Sequence, residues 1–126
     1  MAVREQAASD WCVWEDAAAP LPEGGPNLRY NDPEFRMTFA RIVTHYFHHR
    51  AWLSDGQLLQ DAHLLVGIPG VMVHGRFDLG SPVDTAWQLA QAWPDADLHV
   101  VETGHAGGDE MTSRVIEATN RYAGRR

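Results

Sequence analysis

The sequence predicts an α/β chain in which an all-helical first half precedes a strand-helix-strand-helix second half. Three observations carry that prediction. Through residues 3–65 apolar side chains recur mostly at three- and four-residue spacing, the period of a helix with one buried stripe. From Gly70 the rhythm changes, and Val71-Met72-Val73 and Leu98-His99-Val100-Val101 form short β-branched runs of the kind that buried strands use. Each run is followed by helix-start signals, so the two strands are joined through a helix and pair in parallel.

The elements follow in order. Ala7, Ala8, Trp11, Cys12, Trp14 and Ala18 place a helix over residues 3–18, ended by Pro20 and Pro22. Residues 20–27 are a loop, since their three prolines lack amide donors and their two glycines lose most entropy in a helix. Asp32 is an N-cap with Pro33 at the first helical position, and Phe35, Phe39, Ile42, Val43, Tyr46 and Phe47 carry that helix to about His49. A shorter helix is expected from Ser54 through Leu58, Leu59, Ala62 and Leu65, stopped ahead of Ile68-Pro69 because proline disfavours helix in the residue before it. Ser81-Pro82-Val83-Asp84 then combines an N-cap with a first-turn proline and an early acid, giving a helix to about Trp93. The last helix begins near Asp109-Glu110, whose charges suit a helix N-terminus, and runs to Gly124. Two parallel strands ask for a further neighbour, because parallel sheets are normally wider and covered on both faces.

Bulk composition narrows the function classes. With 126 residues, 44% hydrophobic content and five Trp, the chain has the material for a packed core. A formal charge of -7 argues against nucleic acid as a partner, because phosphate binding rests on Lys and Arg. The single Cys12 excludes an internal disulfide, and no run approaches the roughly 18 apolar residues of a membrane span, so the expected setting is cytoplasmic with no membrane partner.

Candidate chemistry concentrates at the two strand ends. The first strand runs into Gly75-Arg76-Phe77-Asp78, and 27 residues after that acid comes His105, flanked by Gly104 and Gly107-Gly108. Acid then histidine is the order of the last two members of the α/β-hydrolase triad, in which a Gly-x-Ser-x-Gly serine precedes both. None of Ser9, Ser54, Ser81 and Ser113 has glycines at that spacing, and no HGGG-type oxyanion stretch is present. Read from the residues alone, a turn-capping aspartate at 78 and a loop histidine at 105 outweigh a catalytic pair. Glu15 is equally a solvated helix acid, and the tryptophans are core or pocket wall. His45 and His49 stand four apart with His48 beside them and His63 further on, but no acid joins them at ligand spacing, so no metal is expected. The glycines around His105 lack the lysine and spacing of a phosphate loop.

Several ordered motifs together resemble a known family. They are Trp11-Cys12-Val13-Trp14-Glu15, Phe39-Ala40-Arg41-Ile42, His45-Tyr46-Phe47 and Gln57-Leu58-Leu59-Gln60-Asp61-Ala62-His63. They continue through Ile68-Pro69-Gly70-Val71-Met72-Val73-His74-Gly75-Arg76-Phe77-Asp78, then Ala86-Trp87, Ala92-Trp93-Pro94 and Gly104-His105. Across nearly its whole length the chain resembles the C-terminal part of the proline iminopeptidases, serine aminopeptidases of the α/β-hydrolase fold. The resemblance implies that residues 1–65 are part of a helical cap and residues 66–126 the C-terminal part of the catalytic domain. It also implies that Asp78 and His105 are the triad acid and base and that Glu15 binds the free amino group of the substrate. The implied reaction is release of N-terminal proline from peptides, without metal or organic cofactor. Two departures stand out. The second amine-binding Glu, expected after the Phe-Ala-Arg-Ile stretch, is replaced by Val43, and the nucleophile is missing. The chain by itself is therefore expected to be inactive: a truncated enzyme, or a non-catalytic piece or half of a split hydrolase. Its expected partners are an N-terminal hydrolase half or a second copy, met through the open sheet edge.

Overall fold

The computed structural model describes residues 2–20 and 25–124, and the chain divides into two compact units, Met1–Gln57 and Leu58–Arg126. The expected loop over residues 20–27 lies partly outside the described residues, at Leu21, Pro22, Glu23 and Gly24.

The first unit is a helical pair. Helix α1 (Ala2–Ala18) packs against α2 (Pro33–His48), and the residues buried between them are small: Ala8, Cys12 and Ala40. Small side chains let two helix backbones approach closely, while Trp11 lies beside Phe47 with ring centroids 6.0 Å apart. Asp32 caps α2 as its sequence demanded, accepting a hydrogen bond from the Glu34 amide at 2.9 Å with Pro33 behind it. Asn27 caps a short 3-10 turn, Leu28–Asn31, and its own amide donates to Asp16 Oδ1 at 2.9 Å. After α2 the chain turns sharply: Arg50, Ala51 and Trp52 all have positive φ, and the Trp52 ring stacks on His49 at 5.1 Å and meets Tyr46 edge-on at 5.3 Å. Left-handed backbone is costly for side-chain-bearing residues, and this aromatic packing offsets part of that cost.

The second unit opens with a departure from expectation. The helix foreseen from Ser54 to Leu65 is α-helical only over α3 (Gln57–Gln60) and continues as a 3-10 turn, Asp61–Leu65. The His63 side chain explains the change locally, since its Nδ1 donates to the Gln60 carbonyl at 2.7 Å and competes for an acceptor that an α-helix would use. Strand β1 (Gly70–Gly75) pairs in parallel with β2 (Ala96–Val101) in the register Gly70↔Ala96 to Gly75↔Val101. Helix α4 (Val83–Ala92) connects them and packs on both, and α5 (Asp109–Ala123) lies on β1. The Trp93 indole donates to the Ile68 carbonyl at 2.9 Å, and its ring lies so close over Gly70 that a Cβ there would collide with it.

Two strands with helices give this sheet incomplete cover. Val101 is buried, but Val71, Met72 and Val73 are only half-buried and Val100 is exposed. Parallel strands are normally sealed on both faces, so apolar area remains here for another element to cover. Among the described residues no helix is long and apolar enough to cross a membrane.

Candidate active site

The close approach of two loops at the C-terminal strand ends builds the site. Beyond β1 and β2 the pairing continues, with Arg76 N–H donating to Val101 O at 2.8 Å and Phe77 N–H to Thr103 O at 2.9 Å. This approach depends on Gly75, where an added Cβ would lie 2.5 Å from Gly104 O and 2.6 Å from Thr103 O. Only a glycine permits backbone to pass backbone at that distance. The result places Asp78, on the first loop, beside His105, on the second.

Asp78 is buried and its carboxylate is fully engaged. Oδ1 accepts from the Gly80 amide at 2.9 Å and the Ser81 amide at 2.8 Å, and Oδ2 lies 2.9 Å from His105 Nδ1. A carboxylate oxygen only accepts, so the proton on His105 is at Nδ1, and Nε2 of the neutral ring is left as a free base. Burial by itself pushes the Asp78 carboxyl up, but the hydrogen bonds from His105, Ser81 and Gly80 and the charge of His105 together hold it below the ordinary range. Its charge is thus maintained near neutral pH. The His105 side chain is 54% exposed, so the base faces outward from a buried acid. The arrangement can orient an imidazole, accept a proton at Nε2 and stabilise the imidazolium that forms.

Ser81 does not cap α4, as its sequence context had suggested. The cap position is Pro82, with no side-chain cap bond, because the Ser81 backbone is turned toward the acid: its amide holds Asp78 and its carbonyl accepts from His74.

Glu15 belongs to the first unit, on α1. Its Oε1 accepts from the Trp11 indole at 3.0 Å one turn earlier, which fixes the carboxylate on the helix surface and leaves Oε2 for another donor. Tyr30 is nearby: burial, then the charges of Glu15, Cys12 and Asp16, push its hydroxyl up, so it stays neutral. Val43, on α2, is half-buried. His45 and His49 do come together, with ring centroids 4.7 Å apart, and His48 lies 4.9 Å from His49. His45 and His48 meet the His49 ring edge-on and His49 stacks on Trp52, and among the described residues no three His, Cys, Asp or Glu side chains are grouped to hold a metal. A hollow of about 830 Å³ along α2 and one of about 520 Å³ between α1 and α2 contain neither Asp78 nor His105.

Comparison with known proteins supplies the family. A probable proline iminopeptidase of Streptomyces coelicolor is 47% identical over 97% of this chain, and a proline iminopeptidase of Xanthomonas citri is 39% identical over 97%. The chain belongs to the proline iminopeptidase family. The Arabidopsis thaliana proline iminopeptidase is 33% identical over 94% of the chain. No family model matches. The chain spans about 40% of the length of these bacterial relatives, 39% and 40% respectively. Two parallel strands with flanking helices are the C-terminal portion of the α/β-hydrolase fold that proline iminopeptidases adopt.

Several site features of this proline iminopeptidase part were not foreseen from its sequence. Asp78-x-Gly80-Ser81 is the pattern of an Asx turn, in which the acid accepts amides two and three residues on, and that pattern could have been read. The need for glycine at 75 and the bond from His74 to Ser81 had no local signal, because both depend on which segments the fold brings together.

Proposed function

We propose that Asp78 and His105 are the acid and base of a Ser-His-Asp triad, and that the chain works as the C-terminal part of a serine aminopeptidase that releases N-terminal proline. The observation that carries this reading is the 2.9 Å contact from His105 Nδ1 to an Asp78 carboxylate whose other oxygen is held by two amides. A carboxylate that merely ended a turn would need only the Gly80 and Ser81 amides. The added histidine, with Nε2 outward, is what general-base catalysis requires.

The 126 residues contain no Gly-x-Ser-x-Gly, so the nucleophile and oxyanion donors come from a segment outside them. The half-buried Val71, Met72 and Val73 support docking of such a segment beside β1. In the assembled site the serine Oγ attacks the prolyl carbonyl while His105 Nε2 takes its proton. The same proton passes to the nitrogen of the leaving peptide, and the prolyl ester is then hydrolysed by water that His105 deprotonates. Asp78 holds Nδ1–H throughout and stabilises the imidazolium.

Residues 1–65 serve as the cap portion and residues 66–126 as the catalytic portion in this reading. Glu15, fixed by Trp11, pairs with the protonated proline amine through Oε2. Of the neighbouring acids, Asp16 is tied by the Asn27 amide to the turn that precedes α2, and Glu34 is exposed at the start of α2.

The test is co-expression of this chain with the segment of the Streptomyces relative that precedes the matched region, followed by assay with a proline anilide. Turnover by the complex, absent from the chain alone and abolished by His105→Ala, supports the reading. Turnover by the chain alone, or turnover indifferent to His105→Ala, refutes it. A complex that forms but never turns over points instead to a non-catalytic role.

A further inference from the structure

The acid of the pair is held by a loop, and that loop is held in turn by one side chain from the sheet. His74, the fifth residue of β1, has its Nε2 2.8 Å from the Ser81 carbonyl oxygen. A carbonyl oxygen only accepts, so His74 Nε2 carries the proton and donates. The Ser81 amide donates to Asp78 Oδ1 at 2.8 Å, and Asp78 Oδ2 meets His105 Nδ1 at 2.9 Å. One continuous run of bonds therefore leads from a strand residue, through the Ser81 peptide unit, to the imidazole.

We propose that His74 is a positioning residue for this site: by clamping the Ser81 carbonyl it fixes the Asp78 loop and, through it, the orientation of His105. The proposal rests on the catalytic reading of Asp78 and His105. Its physical basis is the construction of the loop. Residues 79–82 include Gly80, flexible and without a side chain, and Leu79 and Ser81, both exposed, so little packing restrains them. Asp78 itself is anchored by its turn to Gly75, but the amides that orient its carboxylate lie on the loosely packed part. The His74 bond is the side-chain tether between that part and the sheet. Because it is exposed to water, its removal costs the fold little, while the aim of the carboxylate is released.

The chemistry of the tether sets the substitutions. A glutamine places its amide nitrogen about where Nε2 of histidine lies and can donate in the same direction, whereas phenylalanine fills the space without a donor. In the co-expressed complex, H74F is expected to lower kcat by about tenfold or more with KM nearly unchanged, and H74Q to restore most of it. In the 126-residue chain itself, the Nδ1–H proton of His105 is followed by NMR. It should be sharp and shifted to low field in the starting chain and in H74Q, and broadened by exchange with water in H74F, at an unchanged thermal midpoint.

The outcomes separate the two readings. If H74F keeps both the resonance and the rate, or if H74Q fails as badly as H74F, the positioning role is wrong. If D78N and H105A leave the complex active, the catalytic reading fails instead, and the NMR arm still decides whether His74 governs the pair. A fall in thermal midpoint matching the fall in rate would make His74 merely structural and also overturn the proposal.

Discussion

Replacing Gly75 by alanine tests how the site is built. Gly75 is not among the glycines with positive φ, so alanine meets no conformational penalty there and the whole effect is contact. The new Cβ would lie 2.5 Å from Gly104 O and 2.6 Å from Thr103 O, against about 3.3 Å for the closest carbon-to-oxygen approaches between strands. The shortfall of about 0.8 Å must be met by backbone, because both obstructing atoms are carbonyl oxygens of the residues just before His105. Moved as a block by that amount, the loop stretches the Asp78–His105 contact from 2.9 Å to beyond the length at which a hydrogen bond counts as one. We expect a stability loss of about 1–3 kcal/mol from overpacking. Catalysis in the co-expressed complex should fall about a hundredfold in kcat with a smaller change in KM. Urea unfolding of the chain and proline anilide kinetics of the complex measure the two effects. Gly124→Ala is the control, since nothing lies within 4 Å of a Cβ at that position. If Gly75→Ala matches the control in both assays, the close loop approach does not set the pair, and the construction argued here is wrong.

Other expectations concern the chemistry itself. Asp78→Asn keeps an oxygen for the Gly80 and Ser81 amides but turns an amide toward His105, which favours the wrong tautomer; kcat of the complex should fall by about 10⁴, and a loss under tenfold would contradict the triad role. The Asp78 pKa is lowered in the folded chain, so its contribution to stability is fully present above the unfolded value near 3.8 and is lost as pH falls through the lower folded value. The unfolding free energy of the starting chain relative to Asp78→Asn should therefore be flat above about pH 5 and shrink below about pH 4; a difference that grows on acidification would reverse the sign of the argument. Val43→Glu should restore a second carboxylate for the substrate amine, raising the preference of the complex for free over N-acetylated proline substrates by about tenfold for each 1.4 kcal/mol recovered. An unchanged ratio of kcat/KM values would mean that Val43 does not face the amine.

Local chemistry made much of this legible in the sequence. Asp32-Pro33 announced α2 because cap and first-turn proline act within three residues, and the β-branched runs marked β1 and β2 because strand burial leaves a short apolar signature. Asp78 and His105 were legible as a pair only through their order and their places after strands, and the structure brings them to 2.9 Å. What failed was local reasoning where a tertiary demand won. Ser81 has the composition of a cap, yet its amide and carbonyl are taken by Asp78 and His74, partners three and seven residues away that only the loop fold unites. The segment after Ser54 has helical spacing, yet His63 takes the Gln60 carbonyl and the turn tightens. Glu15 was legible as an acid on a helix, but its orientation by Trp11 depends on a rotamer that spacing alone leaves open.

If Asp78 and His105 supply the acid and base to a nucleophile held elsewhere, the activated serine lies on the partner segment. Single-turnover labelling tests it most directly: the co-expressed complex is treated with a fluorophosphonate, which reacts only with an activated serine, and the labelled chain is identified. Label is expected on the partner segment and never on the 126-residue chain, and His105→Ala in this chain is expected to abolish it. Label on Ser9, Ser54, Ser81 or Ser113, or labelling of the partner that persists without His105, would contradict it.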